Sequence, residues 1–531
     1  MKYISTRGDG REVSAAQAII QGLAPDKGLF VPVDIPRISY DFSVPDESAS
    51  ASGGSAKASD ESVHASGKSA DASGGSAGHQ SGGATGVSYR AVASRVMRAF
   101  FDDYTGDELR RCIDGAYDGK FDSPDISPLV KTRHAHFLEL YHGRTAAFKD
   151  MALSILPYLL TTATRKENED KKIVILTATS GDTGKAALEG FADVPGTEIF
   201  VFYPRDGVSE IQERQMVTQG GANTHVYAIE GNFDDAQTAV KAIFNDRAYE
   251  AALASDGFRL SSANSINIGR LVPQVAYYYF AYAELVARGE IKSGDGVNIA
   301  VPTGNFGNIL AAWYARKAGL PIRRLICASN ENKVLTDFFA KGVYDANRKF
   351  YITSSPSMDI LISSNLERLL WHLSGGDSAE IAGYMKKLEE ERRYEVSGKV
   401  RAGMNEFIWG GCADMTRAHA AIGALWAEER YLIDTHTSVA YGVYLDYLEQ
   451  TGDTTPTVIA STASAYKFAD KVSGAIGLGA EPDGFAYIDA LNKATGVPVP
   501  AGLQGLDRKE VRHEGVVTSE EMPGVIRAAL G

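Results

Sequence analysis

The sequence predicts an α/β protein with doubly wound, mostly parallel sheets. Apolar runs typical of buried strands are each followed by a short polar loop and then by apolar residues at helical spacing. Runs of this kind cover residues 171–178, 198–204, 223–230, 297–301, 324–328 and 457–461. The repeated order of strand, loop and helix is typical of parallel sheets, whose ligands bind at the carboxyl ends of the strands. We therefore look for functional residues in the loops that follow these strands.

Before the first of these strands, two globular stretches flank a segment of low complexity. A helical pattern at residues 15–21 comes first. Residues 44–87 are then rich in Ser, Ala and Gly and have no periodic apolar face. Such a composition buries too little apolar surface to offset the entropy of ordering, so we predict a disordered surface insertion with no catalytic part. Helical spacing resumes near Tyr89, and another helix is expected to begin near Thr105 or Gly106.

Bulk composition limits the classes of function. The chain has 531 residues, and 54 Lys and Arg against 67 Asp and Glu give a formal net charge of −13. This acidic balance argues against an extended nucleic-acid interface. The three cysteines form no C-x-x-C pair, so neither a disulfide framework nor a zinc knuckle is predicted. With neither a signal-peptide pattern nor an apolar run long enough to span a membrane, we expect a cytoplasmic protein without nucleic-acid or membrane partners. His134 and His136 have no third ligand nearby, so no metal site is predicted.

Lys149 is the residue around which the predicted chemistry is organised. An apolar alternation ending at Leu140 predicts a strand, and Gly143 predicts a turn. Apolar residues at helical spacing follow, so Lys149 is expected in the first turn of a helix. Beside Phe148 and small residues, this lysine is placed for partial desolvation, which lowers the pKa of an amine and frees it to attack a carbonyl group. Such an amine suits an aldehyde cofactor, and the alternative is a solvated lysine at a helix start.

The loop after residues 171–178 brings Ser180, Asp182 and Thr183 to a helix start expected near Gly184. Hydroxyls and backbone amides at such a place can bind a carboxylate or phosphate, helped by the helix dipole. The alternative is that one of the three side chains only caps the helix. A nucleotide P-loop is excluded, because Thr179 and Ala186 stand where that motif needs Gly and Ser or Thr.

The loop at residues 302–308, PTGNFGN, is a candidate phosphate cradle. Its two glycines allow close approach of the backbone and its asparagines add polar contacts, while the spacing does not match the dinucleotide motif G-x-G-x-x-G. A tight turn capped by Asn is the alternative. The loop at residues 461–465 offers a hydroxyl at the edge of the same crevice, or simply a small polar cap.

Residues 264–270, NSINIGR, are a candidate second anion site. They provide two amides, a hydroxyl and a guanidinium within seven residues. The alternative is an Asn-rich turn before a helix that starts near Leu271.

Taken in order, these motifs resemble those of the threonine synthases, pyridoxal-phosphate (PLP) enzymes of the tryptophan-synthase β-like fold group. The likeness covers nearly the whole chain outside the segment rich in Ser, Ala and Gly. The matching stretches are residues 2–7, 28–32, 142–150, 180–184, 304–308, 356–361, 364–368 and 461–463. The resemblance implies PLP fold type II, with three parts: an N-terminal subdomain (1–130), a large PLP-binding domain (131–165 and 266–531) and a smaller nested domain (166–265).

The resemblance also implies roles for individual residues. Lys149 would hold pyridoxal 5'-phosphate covalently, and Thr462 would meet its pyridine nitrogen. The phosphate of the cofactor would be bound by Gly304, Asn305, Phe306 and Asn308. The phosphate of the substrate would be bound by Ser265 and Arg270, and its amino-acid part by Ser180, Asp182 and Thr183.

The implied reaction converts O-phospho-L-homoserine and water into L-threonine and phosphate, in a monomer or small homo-oligomer. A PLP-dependent serine or threonine dehydratase is one alternative, and it has no need of a second anion site. An inactive, cofactor-free interaction protein on the same fold is another, disfavoured by the intact lysine and loops. Closure of the segment that bears Ser180 is also expected, because water must be excluded before phosphate leaves.

Overall fold

The computed structural model describes residues 1–42 and 85–531. The insertion predicted over residues 44–87 therefore lies outside the described residues, apart from its last three positions. The strands are β1 (Tyr3–Ser5), β2 (Phe30–Pro32), β3 (Leu129–Lys131), β4 (His136–Glu139), β5 (Lys172–Ala178), β6 (Thr197–Pro204), β7 (Thr224–Ile229), β8 (Phe258–Ser262), β9 (Val297–Pro302), β10 (Ile322–Ser329), β11 (Val343–Asp345), β12 (Arg393–Glu395), β13 (Ile408–Cys412), β14 (Thr457–Ser461) and β15 (Gly515–Val517).

The strands are connected by α-helices and a few short 3₁₀ turns. The helices are α1 (Ala15–Gln21), α2 (Tyr89–Phe100), α3 (Gly106–Tyr117), α4 (Asp150–Leu153), α5 (Leu156–Lys166), α6 (Asp182–Phe191), α7 (Glu210–Val217), α8 (Phe233–Asn245), α9 (Arg247–Ser255), α10 (Ile268–Leu271), α11 (Pro273–Ala287), α12 (Gly307–Ala318), α13 (Val334–Lys341), α14 (Leu366–Ser374), α15 (Ser378–Glu391), α16 (Gly398–Asn405), α17 (Met415–Glu429), α18 (Thr435–Thr451), α19 (Ala469–Ala475), α20 (Gly484–Thr495) and α21 (Met522–Leu530). The 3₁₀ turns cover Pro356–Met358, Ala465–Phe468 and Leu506–Arg508.

The N-terminal helices form where the sequence predicts them. The side chain of Ser14 accepts a hydrogen bond from the Gln17 amide, and the Gln17 side chain accepts one from the Ser14 amide, which fixes the start of α1. Thr105 caps α3 in the same way through Glu108. The predicted starts of α1, α2 and α3 are confirmed.

The larger sheet places three of the candidate loops side by side. Its strand order is β13-β10-β9-β14-β4-β3, and neighbouring strands are parallel except β3 and β4. Since β14 lies between β9 and β4, the loops that follow these three strands meet at one edge of the sheet. A bridge between Ala147 and Ala463 joins two of these loops directly.

The smaller sheet has five parallel strands in the order β15-β7-β6-β5-β8. The edge strand β15 comes from the far C-terminal part of the chain. The predicted boundaries assign residues 266–531 to the large domain, whereas the structure pairs Gly515–Val517 with β7 and packs Met522 and Ile526 into the core of the smaller sheet. The sequence pattern does not reveal this pairing, because a three-residue strand has no periodic signal.

Helix α11 lies at the centre of the molecule and supports the candidate cradle. All of its residues from Pro273 to Leu285 are buried, including Tyr277, Tyr278 and Tyr282. A helix that is apolar on every side is stable only when it is surrounded, and α11 packs against α2 and α12. The predicted α/β architecture with mostly parallel sheets is confirmed.

Candidate active site

The loop before Lys149 is fixed by hydrogen bonds and close packing. Thr145 donates to the Asp150 carboxylate through its amide at 2.8 Å and its hydroxyl at 2.6 Å. A Cβ atom at Gly143 would lie 2.5 Å from the side chain of Asp150, so only glycine fits there. The Phe148 amide donates to the Thr462 carbonyl at 2.8 Å, which ties this loop to the one after β14. Lys149 is therefore held on a rigid support directly before α4.

The amine of Lys149 lies in a buried polar group. Its Nζ is 3.2 Å from Asp182 Oδ2 and 3.2 Å from Ser357 Oγ, and it lies 4.9 Å from the centre of the Phe148 ring. Burial lowers the pKa of Lys149, and the positive charges of Arg270 and Lys467 act in the same direction against the opposing effect of Asp182. The predicted desolvation of this lysine is confirmed, and a lysine with a lowered pKa is the form that attacks carbonyl groups.

Asp182 faces Lys149 because another residue caps the helix. Helix α6 begins at Asp182, two residues before the predicted start, and the Thr179 hydroxyl accepts hydrogen bonds from the amides of Gly181 at 3.0 Å and Gly184 at 2.8 Å. The alternative that Ser180, Asp182 or Thr183 caps this helix is therefore wrong. The carboxylate of Asp182 is buried and turns into the cleft, and Ser180 and Thr183 lie half-buried beside it.

The loop between β9 and α12 has the features of a phosphate cradle. A Cβ atom at Gly304 would lie 2.4 Å from the Ser357 carbonyl oxygen, and Phe306 adopts a left-handed conformation with φ of 65° as the chain enters α12. No side chain caps this helix, so the alternative of an Asn cap is wrong and the first amides of α12 are free to bind an anion. Among the described residues, Asn308 Nδ2 is buried without a hydrogen-bond partner, while Asn308 Oδ1 accepts from Tyr278.

The cradle is supported by Asn365. The exposed Asn305 contributes its carbonyl, which accepts hydrogen bonds from the Asn365 amide at 3.1 Å and its side chain at 3.0 Å. The same Asn365 side chain donates to Ser265 Oγ at 3.1 Å. Free amides, a close-packed glycine and an unpaired buried donor at one helix start fit the phosphate of PLP.

Thr462 lies at the carboxyl end of β14, between the cradle and the lysine loop. It is buried, and its amide donates to the Thr437 hydroxyl at 3.1 Å. Two residues after Thr462, Ser464 accepts a hydrogen bond from the Tyr466 amide and caps a 3₁₀ turn, which agrees with the small polar cap predicted as the alternative for this loop.

Arg270 is a buried cation held by one backbone carbonyl. Its Nη1 donates to the Ala263 carbonyl at 2.8 Å, and burial lowers its pKa to about 10. Within the described ranges, no carboxylate lies within ion-pair distance of it. Ser265 lies against the cradle, 3.8 Å from the position of a Cβ atom at Gly307. Asn267 accepts a hydrogen bond from the Gly269 amide, so this segment is also a capped turn, and its helix begins at Ile268.

Three residues of this cleft were missed by the sequence reasoning. Lys467, fully buried, lies 2.6 Å from Asp182 Oδ1, and it follows the predicted loop 461–465 by two residues. Ser357 belongs to a matching stretch but had no assigned role. His436 accepts a hydrogen bond from the Ser357 amide at Nε2, 3.1 Å, so the proton on its other nitrogen is directed at Asp434, 2.8 Å away. No sequence signal marks His436.

Residues 1–42 and 85–531 offer neither a metal site nor a membrane span. No group of three or more His, Cys, Asp or Glu side chains is arranged to hold a metal ion there. The same part of the chain contains no helix of the length and apolarity needed to cross a membrane.

Comparisons with known proteins agree with this geometry. A family model described as pyridoxal-phosphate dependent enzyme matches residues 121–406, and one described as threonine synthase N terminus matches residues 2–46. Threonine synthase from Eremothecium gossypii is 33% identical over 89% of this chain and 89% of its own length. Threonine synthase-like 1 from Homo sapiens is 36% identical over 87% of this chain, which spans 58% of that relative's length.

Solved structures give the same result. The PLP-bound threonine synthase from Brucella melitensis has a TM-score of 0.80 and 33% identity, covering 100% of this chain and 99% of its own. The yeast threonine synthase has a TM-score of 0.80 and 29% identity, covering 100% of this chain and 98% of its own. With a matched model over more than half of its length and relatives above 30% identity along nearly their whole length, the chain belongs to the threonine synthase family of PLP-dependent enzymes.

Proposed function

We propose that this protein converts O-phospho-L-homoserine and water into L-threonine and phosphate. The observation that carries the proposal is the position of Arg270, a buried guanidinium without a carboxylate partner among the described residues, close enough to Lys149 to affect its pKa. Burying an unpaired cation is costly, and a phosphorylated substrate would neutralise it. A dehydratase substrate carries no phosphate and would leave the charge of Arg270 unbalanced.

The cofactor site is assigned to three neighbouring loops. Lys149 would hold PLP, the amides and side chains of Gly304, Asn305, Phe306 and Asn308 would bind its phosphate, and Thr462 would meet the pyridine nitrogen. Bound there, PLP supplies an electron sink for negative charge at the substrate carbons, and a hydroxyl at the ring nitrogen supports that role less strongly than a carboxylate would. The buried, unpaired Nδ2 of Asn308 and the uncapped start of α12 support this assignment.

The substrate site is assigned to the residues that face the cofactor site. Ser180, Asp182 and Thr183, at the start of α6, would hold the amino-acid part of the substrate. Arg270 and Ser265 would bind its phosphate. Ser265 also touches the cradle, so the two anion sites lie next to each other.

Lys149 would move the protons of the reaction. As a neutral amine displaced by the substrate's own amine, it can take a proton from Cα and then from Cβ. Phosphate leaves from Cγ, and the proton taken from Cβ is returned to Cγ, which becomes the methyl group of threonine. The hydroxyl of water then adds at Cβ while its proton goes to the released phosphate, and Cα is reprotonated before threonine is released. Burial lowers the pKa of Lys149, which supports its use as a base.

We also propose that the part of the chain around the smaller sheet, residues 166–265, moves to close over the substrate. Asp182 and Ser180 lie on this part, whereas Lys149 and the cradle lie on the larger sheet. Closure would exclude water while phosphate leaves. Crystals with and without a substrate analogue test the idea, and an unchanged position of residues 170–265 would reject it.

The setting proposed for this enzyme is the cytoplasm, where it would act as a monomer or small homo-oligomer on a small-molecule substrate. The acidic net charge of −13 and the scattered cysteines support this setting.

The deciding experiment is release of phosphate from O-phospho-L-homoserine, with threonine measured in the same samples. The purified protein should form both products in equal amounts, and Lys149→Ala should form neither. If the protein contains PLP but releases no phosphate, O-phospho-L-homoserine is not its substrate and the dehydratase is favoured. Assays with serine and threonine as substrates would then test the dehydratase activity. A protein that binds no PLP would favour the inactive interaction protein.

A further inference from the structure

A second buried lysine belongs to the ion-pair group of Lys149. The side chain of Lys467 is fully buried, and its Nζ lies 2.6 Å from Asp182 Oδ1 and donates to the Thr145 carbonyl at 3.1 Å. The other carboxylate oxygen, Asp182 Oδ2, lies 3.2 Å from Lys149 Nζ. One carboxylate therefore faces two ammonium groups, one through each oxygen.

The remaining contacts of Asp182 are neutral. Gln212 donates to Oδ1 at 2.9 Å, and Ser357 donates to Oδ2 at 3.5 Å. His436 also contributes to lowering the pKa of Asp182, but no hydrogen bond or ion pair joins the two residues, and its Nε2 accepts from the Ser357 amide. Arg270 lowers the pKa of Lys149, but it is not among the groups that most affect the pKa of Asp182. Lys467 is thus the cation that stays with Asp182 when Lys149 loses its proton.

We propose that Lys467 is a positioning residue that serves as the permanent counter-ion of Asp182 and so allows Lys149 to react as a neutral amine. The inference rests on the proposed attachment of the cofactor at Lys149. In that attachment the lone pair of the neutral amine bonds to the aldehyde carbon and one water molecule leaves, and a protonated amine has no lone pair to give. Without Lys467, loss of the proton from Lys149 would leave a buried carboxylate without a cation, which is strongly unfavourable.

The pKa shifts point in the direction this arrangement requires. Burial would raise the pKa of Asp182, but the ammonium groups of Lys149 and Lys467 outweigh it and hold that pKa well below its usual range. Burial lowers the pKa of Lys149, and Lys467 lowers it further. The carboxylate therefore stays charged while the reacting amine gives up its proton.

Lys467 also fixes where Asp182 lies. It belongs to the 3₁₀ turn after β14 of the larger sheet, whereas Asp182 begins α6 beside the smaller sheet. The pair connects the two sides of the cleft at the point where Lys149 reacts, and its bond to Thr145 reaches the loop that supports Lys149.

The test is the pH dependence of PLP association, followed by visible absorbance after the cofactor has been removed from the full-length protein. In Lys467→Met the ammonium is lost, Asp182 pairs with Lys149 alone, and we expect the midpoint of the profile to rise by about 1 to 3 pH units. Association near neutral pH should then slow by about tenfold or more. Lys467→Arg keeps the charge and should keep the wild-type midpoint.

Lys185→Met is the matched control. Lys185 is also buried, lies on α6 three residues after Asp182, and pairs with Glu189 at 3.2 Å and with Gln219. Its replacement removes a buried ammonium of the same helix but no partner of Asp182, so the midpoint should stay that of the wild type. Lys467→Gln, which is neutral but able to hydrogen-bond to Asp182, carries the test where Lys467→Met does not fold.

The outcomes separate this inference from the proposed function. A wild-type midpoint in a folded Lys467→Met or Lys467→Gln variant that still binds PLP overturns the counter-ion role and leaves the function standing. An equal rise in Lys467→Arg shows that shape and not charge matters, and it overturns the inference as well. If the wild-type protein binds no PLP, the proposed function is overturned, and the counter-ion role, which rests on it, is overturned as well.

Discussion

Replacing Arg270 by Gln tests the proposed site for the substrate phosphate. The guanidinium is buried, and its pKa falls from 12.5 to about 10, a difference worth about 3 kcal/mol against the charged form. Because Arg270 has no acidic partner among the described residues and one backbone acceptor, Ala263, a neutral amide breaks no ion pair. We therefore expect the melting temperature of Arg270→Gln to equal or exceed that of the wild type.

Substrate binding should respond in the opposite direction. A hydrogen bond between charged groups contributes about 1.5–3 kcal/mol, and a guanidinium can give two of them to a phosphate. Loss of about 3 kcal/mol raises the KM for O-phospho-L-homoserine about a hundredfold. The Kd for PLP, read by absorbance titration, should change by less than about fivefold, which is under 1 kcal/mol.

Arg368→Gln is the contrasting variant for this experiment. Arg368 is also buried with a pKa lowered to about 10 by burial, but its guanidinium is fully engaged by Phe30, Ile266 and Asn365. Its loss should lower the melting temperature by several degrees. If Arg270→Gln weakens PLP and substrate equally, the arginine has been assigned to the wrong phosphate. If the KM does not change, the second anion site is wrong and the dehydratase is favoured.

Two further predictions concern the cradle and the lysine loop. In Gly304→Ala the new methyl group meets the Ser357 carbonyl at 2.4 Å, so we expect PLP affinity to fall about tenfold or more from a strain of about 1–3 kcal/mol; Gly383→Ala, with no atom within 4 Å, should leave that affinity unchanged. The imidazole of His142 is partly desolvated by burial, but its contacts with Asp122 at 2.5 Å and Glu139 at 2.8 Å outweigh this and raise its pKa from 6.5 to about 9. Its stabilising contribution, about 3 kcal/mol, is complete below pH 6.5 and is lost as the pH rises through about 9. The melting temperature of the wild type should therefore fall over this interval relative to that of His142→Gln, and parallel curves for the two proteins would contradict the assignment.

Local signals in the sequence were sufficient for the loops but not for their partners. Lys149 and the cradle are visible because a strand, a glycine turn and a helix follow one another in the chain, and each constrains the next. The capping of α6 by Thr179 was missed because Ser180, Asp182 and Thr183 are equally good capping residues by type. Only the geometry of the turn shows which oxygen reaches the amides.

Long-range contacts carry no such signal. Lys467 is separated from Asp182 by most of the chain, and the order of the strands in two different sheets decides that they meet. The same holds for β15, which joins the smaller sheet only after the chain has completed the larger one. A residue whose role depends on pairing across two sheets is visible only once both sheets are placed.

The charges of the cleft connect stability with binding. In the cleft, Lys149 and Lys467 both pair with Asp182, while Arg270 has no carboxylate within ion-pair distance among the described residues, in a protein whose net charge is −13. Such an excess of buried cations disfavours folding, because each charge is removed from water without full compensation. The same excess would favour two phosphates, one on the cofactor and one on the proposed substrate. Neutralisation of these positive charges by the bound phosphates would then stabilise the loaded protein. Because Lys467 neutralises Asp182, that carboxylate does not cancel the positive charge that attracts the phosphates.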